Sequence, residues 1–170
     1  LIGVVTQPDR PKGRGEQIAS SPVKNWAVAK NIPVYQPNKV RDSGFLKQLK
    51  DLLPDLIAVV AFGQILPKAL LEIPRNGCVN VHASLLPKYR GAAPINWAII
   101  YGYERTGLTT FFVTERVGAG DILLQEEVSI GPDEIAGELE ARMKVIGGTL
   151  SLKTVNLIEK GLLASSAQAA

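Results

Sequence analysis

Two kinds of apolar pattern alternate along the chain. Residues 1–6 (LIGVVT) and 55–61 (DLIAVVA) are nearly continuous apolar runs, the pattern of strands covered on both faces in a parallel sheet. Residues 33–35 give a shorter extended segment. Residues 78–82 (CVNVH) alternate with period two, and 108–114 and 122–130 read as strands near the end of the sheet. Helical segments fall between these. Residues 21–30 carry Pro22 where a first helical turn tolerates it. Residues 42–52 carry Phe45, Leu46 and Leu49, with Leu53 next after them, in the spacing of one helical face. Residues 67–73 and 95–102 are short helix candidates. Asp133 is placed to cap a long helix with Ile135, Leu139 and Met143 four apart. Gly147-Gly148 is expected to kink or split that helix ahead of 149–159. Strand–helix alternation of this kind predicts an α/β domain with a mostly parallel sheet. The ending, ASSAQAA, is low in complexity and reads as a mobile tail.

Composition narrows the picture. The 170 residues are 46% hydrophobic and 21% charged, the make-up of one globular domain. One cysteine rules out an intrachain disulfide and suits a reducing, cytoplasmic setting. No 18-residue apolar run offers a membrane span. The start has no basic region ahead of its apolar residues and does not read as a signal peptide. One Cys and one His, His82, make a structural zinc site an unlikely use of either, so no metal is expected. That single histidine is the first suspect for any proton transfer near neutral pH.

Charge is uneven. The net charge is +3, but residues 1–50 alone carry nine Lys/Arg against three Asp/Glu. A solvated lysine face would give this balance; so would a docking site for an anion. Arg10, Lys12 and Arg14 are the more telling group. They stand in PDRPKGRG, where Pro and Gly are expected to prevent regular structure and let a basic loop bend around phosphates. The spacing is not that of a Walker loop.

The chemistry concentrates in residues 77–99. If CVNVH is a strand, Asn80 and His82 share a face near its C-terminal end, where open α/β sheets bind ligands. An amide and an imidazole with no serine or thiol nucleophile between them suit direct acyl transfer to an amine. Asn80 would donate to the oxyanion and His82 would move the proton, with a carboxylate needed to orient the imidazole. A structural histidine on a strand is the alternative use of His82.

NVHASLLPKYRGAAP (residues 80–94) resembles the signature of the folate-dependent formyltransferases, N-x-H followed by SLLP-x-x-x-G. TQPDRPKGRG (6–15) and AFGQILP (61–67) resemble the branch of that family whose acceptor is methionyl-tRNA. The resemblance runs from about residue 1 to about 161. It implies a Rossmann-like catalytic domain over 1–161, with 162–170 beginning a linker or tail. It also implies formyl transfer from 10-formyltetrahydrofolate to the amino group of initiator methionyl-tRNA in translation initiation. By position, the family's catalytic Asn and His match Asn80 and His82. Its folate contacts match Ser84, Leu85, Leu86 and Pro87, with Phe62, Gly63, Ile65 and Leu66 bordering the pocket. Its tRNA-contacting arginine matches Arg14, flanked by Arg10 and Lys12. No metal, nucleotide cofactor, membrane or protein partner is implied.

Three departures qualify the resemblance. VTE (113–115) and ILLQ (122–125) align without a gap on either side of the stretch holding the family's catalytic Asp, and Gly118 stands at that position. The family's first strand–helix unit is expected to be absent ahead of residue 1. Its C-terminal β-barrel domain is likewise expected to be absent. A catalytically impaired folate- and RNA-binding fragment, or an enzyme acting on an amino-sugar nucleotide, are therefore the alternatives; PDRPKGRG speaks against glycinamide ribonucleotide as acceptor.

Overall fold

The computed structural model describes residues 1–12 and 17–168. They form two compact units, Leu1–Pro54 with Phe62–Pro74, and Asp55–Ala61 with Arg75–Ala170.

In the first unit, β1 (Val4–Val5) pairs in parallel with β4 (Val34–Tyr35). The ladder extends one bond at each end, from Val4 N–H to Pro33 O and from Thr6 N–H to Tyr35 O. Helix α1 (Pro22–Ala29) starts as its sequence predicts: the Ser21 hydroxyl accepts from Lys24 N–H, and Pro22 occupies the first turn. Helix α2 (Ser43–Asp51) is capped by Asp42 and buries Phe45 and Leu49. The basic stretch PDRPKGRG departs from expectation. Arg10–Lys12 (β2) and Gln17–Ala19 (β3) pair antiparallel, with Arg10 opposite Ala19 and Lys12 opposite Gln17. Proline is tolerated in such a two-stranded ribbon because every strand there is an edge. A short helix, α3 (Lys68–Leu71), follows the 61–67 stretch.

The second unit is built on a four-stranded sheet in the order β5 (Ile57–Val59), β6 (Cys78–His82), β7 (Arg105–Phe112), β8 (Ile122–Ser129). Strands β5 and β6 run parallel; β7 and β8 are antiparallel to their neighbours. One face of the sheet is covered by the 24-residue helix α5 (Ala136–Glu159). Leu139, Met143 and Leu150 from α5 close on Leu108 and Val128, with Val81 packed against them. Leu139 is fully buried. Thr154 joins the same stripe, bonded to Thr110 of β7 at 2.9 Å.

Two expectations for this helix are corrected. Asp133 does not cap it: the helix begins at Ala136 with Ile135 as N-cap, and the Glu138 carboxylate accepts from Ile135 N–H at 3.1 Å. Asp133 lies in the preceding turn. Gly147-Gly148 neither kinks nor splits it. Gly147 is buried on the sheet side, and a Cβ there would meet Leu108 at 3.6 Å, an ordinary contact. The described part of the ending, through Gln168, is held by hydrogen bonds rather than loose. Ser166 exchanges two backbone hydrogen bonds with Ile122, at 2.8 and 2.9 Å, and the Ser165 hydroxyl donates to Asp121.

Among the described residues no helix is long and apolar enough to cross a membrane.

Candidate active site

Strand β6 carries the amide and the imidazole. Asn80 and His82 are two apart and share a face, while Val79 and Val81 take the other. Asn80 stands opposite Phe111 in β7, and His82 opposite Thr109. Phe111 is buried and meets the His82 ring edge-on at 6.4 Å between centroids. Both Asn80 and His82 are half-buried, sheltered by the sheet yet reachable.

The imidazole is fixed by a main-chain group. His82 Nε2 lies 2.7 Å from the Tyr89 carbonyl oxygen. A carbonyl only accepts, so Nε2 carries the hydrogen and Nδ1 is the basic nitrogen of the neutral ring. Among the described residues, no carboxylate bonds to His82.

The loop between the strand and α4 (Pro94–Ile100) is held from beneath by a buried hydroxyl. Thr109 Oγ1 donates to Ser84 O at 2.6 Å and accepts from Leu86 N–H at 3.0 Å and from Gln125 Nε2 at 2.9 Å. Gln125 uses its second hydrogen on Leu86 O, and the Ser84 hydroxyl donates to Lys88 O. Ser84 is fully buried and Leu86 nearly so, so these two residues hold the loop. Pro87 is exposed, and Leu85 is half-buried over Gly107, where no Cβ has room. Replacing Thr109 by Val keeps the shape but strands the Leu86 N–H and Ser84 O in the interior. The expected cost is about 3 kcal/mol in urea unfolding at unchanged m-value.

Gly118 has φ +68° in the loop between β7 and β8. A Cβ built on it would stand 3.4 Å from Arg90 Cγ. The Gly118 and Gly120 carbonyls each accept from Gln168 Nε2, at 2.9 and 2.7 Å.

Phe62, Gly63, Ile65 and Leu66 lie in the first unit. Ile65 is 77% exposed and Leu66 is buried. Phe62 is tied to the front segment through its carbonyl, which accepts from Gln7 Nε2 at 2.8 Å. Gln36 donates to Gln7 O and Asp9 Oδ1, both at 2.9 Å, and Lys24 forms an ion pair with Asp9. The Lys24 bond, then the Gln36 bond, hold the Asp9 carboxyl below its usual range. These contacts brace the base of the basic ribbon, which places Arg10 on an exposed strand; Arg14 lies outside the described residues. Sequence reading missed Gln7, Gln36, Thr109, Gln125 and Gln168, because a side-chain amide or hydroxyl shows no pattern until its distant partners are known.

The lone thiol, Cys78, is buried at the start of β6, and burial pushes it up to about 12. It is unreactive at neutral pH.

Solved structures share this architecture. Phosphoribosylglycinamide formyltransferase from Anaplasma phagocytophilum superposes with a TM-score of 0.81 at 22% identity, over 95% of this chain and 75% of that one. The formyltransferase PseJ from Anoxybacillus kamchatkensis, solved with UDP-4,6-dideoxy-4-formamido-L-AltNAc and tetrahydrofolate, superposes at 0.69 with 18% identity, over 98% of this chain and 80% of that one. The fold is thus the α/β fold of formyltransferase domains. The formyl transferase family profile matches residues 1–155, and the chain belongs to that family. Methionyl-tRNA formyltransferase of Clostridioides difficile (strain 630) is 57% identical over 161 residues, which is 95% of this chain and 52% of the relative. That of Alkaliphilus oremlandii (strain OhILAs) is 55% identical, over 94% and 51%. The chain spans about half the length of these relatives.

Proposed function

We propose that this chain carries the formyl-transfer site of a methionyl-tRNA formyltransferase, taking the formyl group of 10-formyltetrahydrofolate to the amino group of initiator methionyl-tRNA. The observation that carries the reading is the Asn80–His82 pair at the end of β6, with the imidazole proton held on Nε2 by Tyr89 O. The level of identity to relatives of that name supports the choice of acceptor.

The amine nitrogen attacks the formyl carbon, a new C–N bond forms, and the bond from that carbon to N10 of the folate breaks. Asn80 donates to the oxygen that becomes negative during attack. His82 takes the proton that the amine loses and returns one to the leaving nitrogen. Pro87 and Leu85 present the apolar surface of the SLLP stretch to the folate, with Ser84 and Leu86 fixing its shape, and Phe62, Gly63, Ile65 and Leu66 border the same ligand. Arg14, with Arg10 and Lys12, takes the acceptor end of the tRNA; a planar guanidinium suits phosphates and base edges. Gly118 at the family's Asp position supports a second reading, a slow or inactive domain that still binds folate and RNA.

The experiment compares formyl transfer to methionyl-tRNA, to an amino-sugar nucleotide and to glycinamide ribonucleotide, with folate binding measured in parallel. Transfer to methionyl-tRNA alone is the expected result; preference for either other acceptor overturns the assignment. In the same assay Arg14→Ala weakens tRNA use about 10-fold, the scale of one guanidinium contact to a phosphate or base, and leaves folate binding unchanged. Equal loss of both refutes the role given to the ribbon.

A further inference from the structure

Gln168 lies beyond α5 and belongs to no motif, yet all the polar capacity of its side-chain amide is engaged. Its oxygen accepts from Arg90 Nε at 3.1 Å and from Arg90 Nη2 at 2.8 Å. Its nitrogen donates both hydrogens, to Gly118 O and Gly120 O. Nearby, Ser166 and Ser165 anchor the segment to Ile122 and Asp121. One amide therefore joins three pieces of chain: the segment after the last helix, the 116–121 loop, and Arg90.

Arg90 directly follows Tyr89, whose carbonyl receives the His82 proton. The series runs from His82 Nε2 to Tyr89 O, along the backbone to Arg90, through its guanidinium to Gln168, and on to the Gly118 loop. The backbone turns sharply on both sides of this junction. Tyr89 has φ +55°, a conformation that a residue other than glycine keeps only where the surroundings enforce it, while Gly91 at +104° and Gly118 at +68° take positive angles that glycine adopts freely. We infer that Gln168 is a positioning residue for formyl transfer: it clamps the Arg90 side chain to the Gly118 loop, and through Arg90 keeps Tyr89 O seated on His82 Nε2. This rests on the formyl-transfer reading for its catalytic meaning, while the clamp itself is a property of the fold.

Two variants separate the halves of the clamp. Gln168→Ala removes both. Gln168→Glu keeps an acceptor for Arg90 but has no hydrogens for the two glycine carbonyls. In amide hydrogen exchange, residues 114–121 are expected to exchange about 10-fold faster in both variants, the mark of local opening with the rest of the fold intact. Residues 88–92 lose protection only in Gln168→Ala. His82 is the only histidine, so its imidazole nitrogens give one clean set of NMR signals. The Nε2–H tautomer dominates in the parent chain and in Gln168→Glu, and a mixture forms in Gln168→Ala. With turnover measured in a Gly118→Asp background, Gln168→Ala lowers kcat about 10-fold with KM for the formyl donor unchanged, the signature of lost positioning in the transition state. Unchanged exchange at 114–121 and an unchanged tautomer in Gln168→Ala overturn the inference, as does a KM effect without a kcat effect. If no variant transfers formyl while exchange and tautomer respond as stated, the clamp stands and the formyl-transfer reading fails.

Discussion

Gly118→Asp is expected to raise formyl transfer to methionyl-tRNA by about 10²–10³-fold, the scale on which a single aligned electrostatic group acts at a transition state. On the proposed reading, a carboxylate at this position would orient the imidazole and stabilise its protonated form during proton transfer. The backbone can receive it. A side chain in the left-handed region costs about 1 kcal/mol, and Asp is among the residues that visit this region most readily. The nearest atoms to the new Cβ are Arg90 Cγ at 3.4 Å and Cβ at 3.5 Å, ordinary contacts on a flexible side chain, and the neighbouring guanidinium favours an ionised carboxylate. The check is a steady-state rate for the two chains under one set of conditions. Equal rates would show that the carboxylate belongs elsewhere, and the assignment of position 118 would fall with them.

Two residues on, the same kind of substitution should behave in the opposite way. Gly120→Ala is expected to cost about 3 kcal/mol or more in chemical unfolding, at the upper end of what forced overpacking produces. A Cβ on Gly120 would fall 1.6 Å from Phe112 O and 2.7 Å from its carbonyl carbon. Both are main-chain atoms at the end of β7, so no rotamer change relieves the clash. The loop would have to leave the strand, and Asp121 O would lose its bond from Phe112 N–H. Gly118→Ala is the control: its neighbours are the flexible Arg90 side chain, so its loss should stay near 1 kcal/mol. A Gly120→Ala chain as stable as the Gly118→Ala chain would mean that the loop does not approach β7 so closely.

The contrast shows what a sequence reveals. First-turn prolines and strand faces are local, and Pro22 and the two-residue spacing of Asn80 and His82 were legible because each rule acts within a few positions. The α/β alternation was legible for the same reason. Asp133 misled because Glu138, reaching back three residues, supplied the bond that begins α5. Gly147-Gly148 misled because the long apolar stripe of α5 on the sheet outweighs the low helix propensity of two glycines. The basic stretch looked irregular because its prolines forbid a central strand but allow a ribbon. The partner of His82 was invisible for a different reason: Tyr89 contributes a peptide oxygen, which every residue has. Gln168 needed the fold, since its partners stand 78, 50 and 48 positions away.

The bond from His82 to Tyr89 O carries one more implication, about how this site can vary over time. An acceptor on a side chain disappears with one codon change; a peptide oxygen survives any substitution at its own residue. What position 89 must preserve is a direction of the chain, φ +55°, which Gly, Asn and Asp adopt most readily. The imidazole can therefore keep its hydrogen on the same nitrogen while the side chain at position 89 changes.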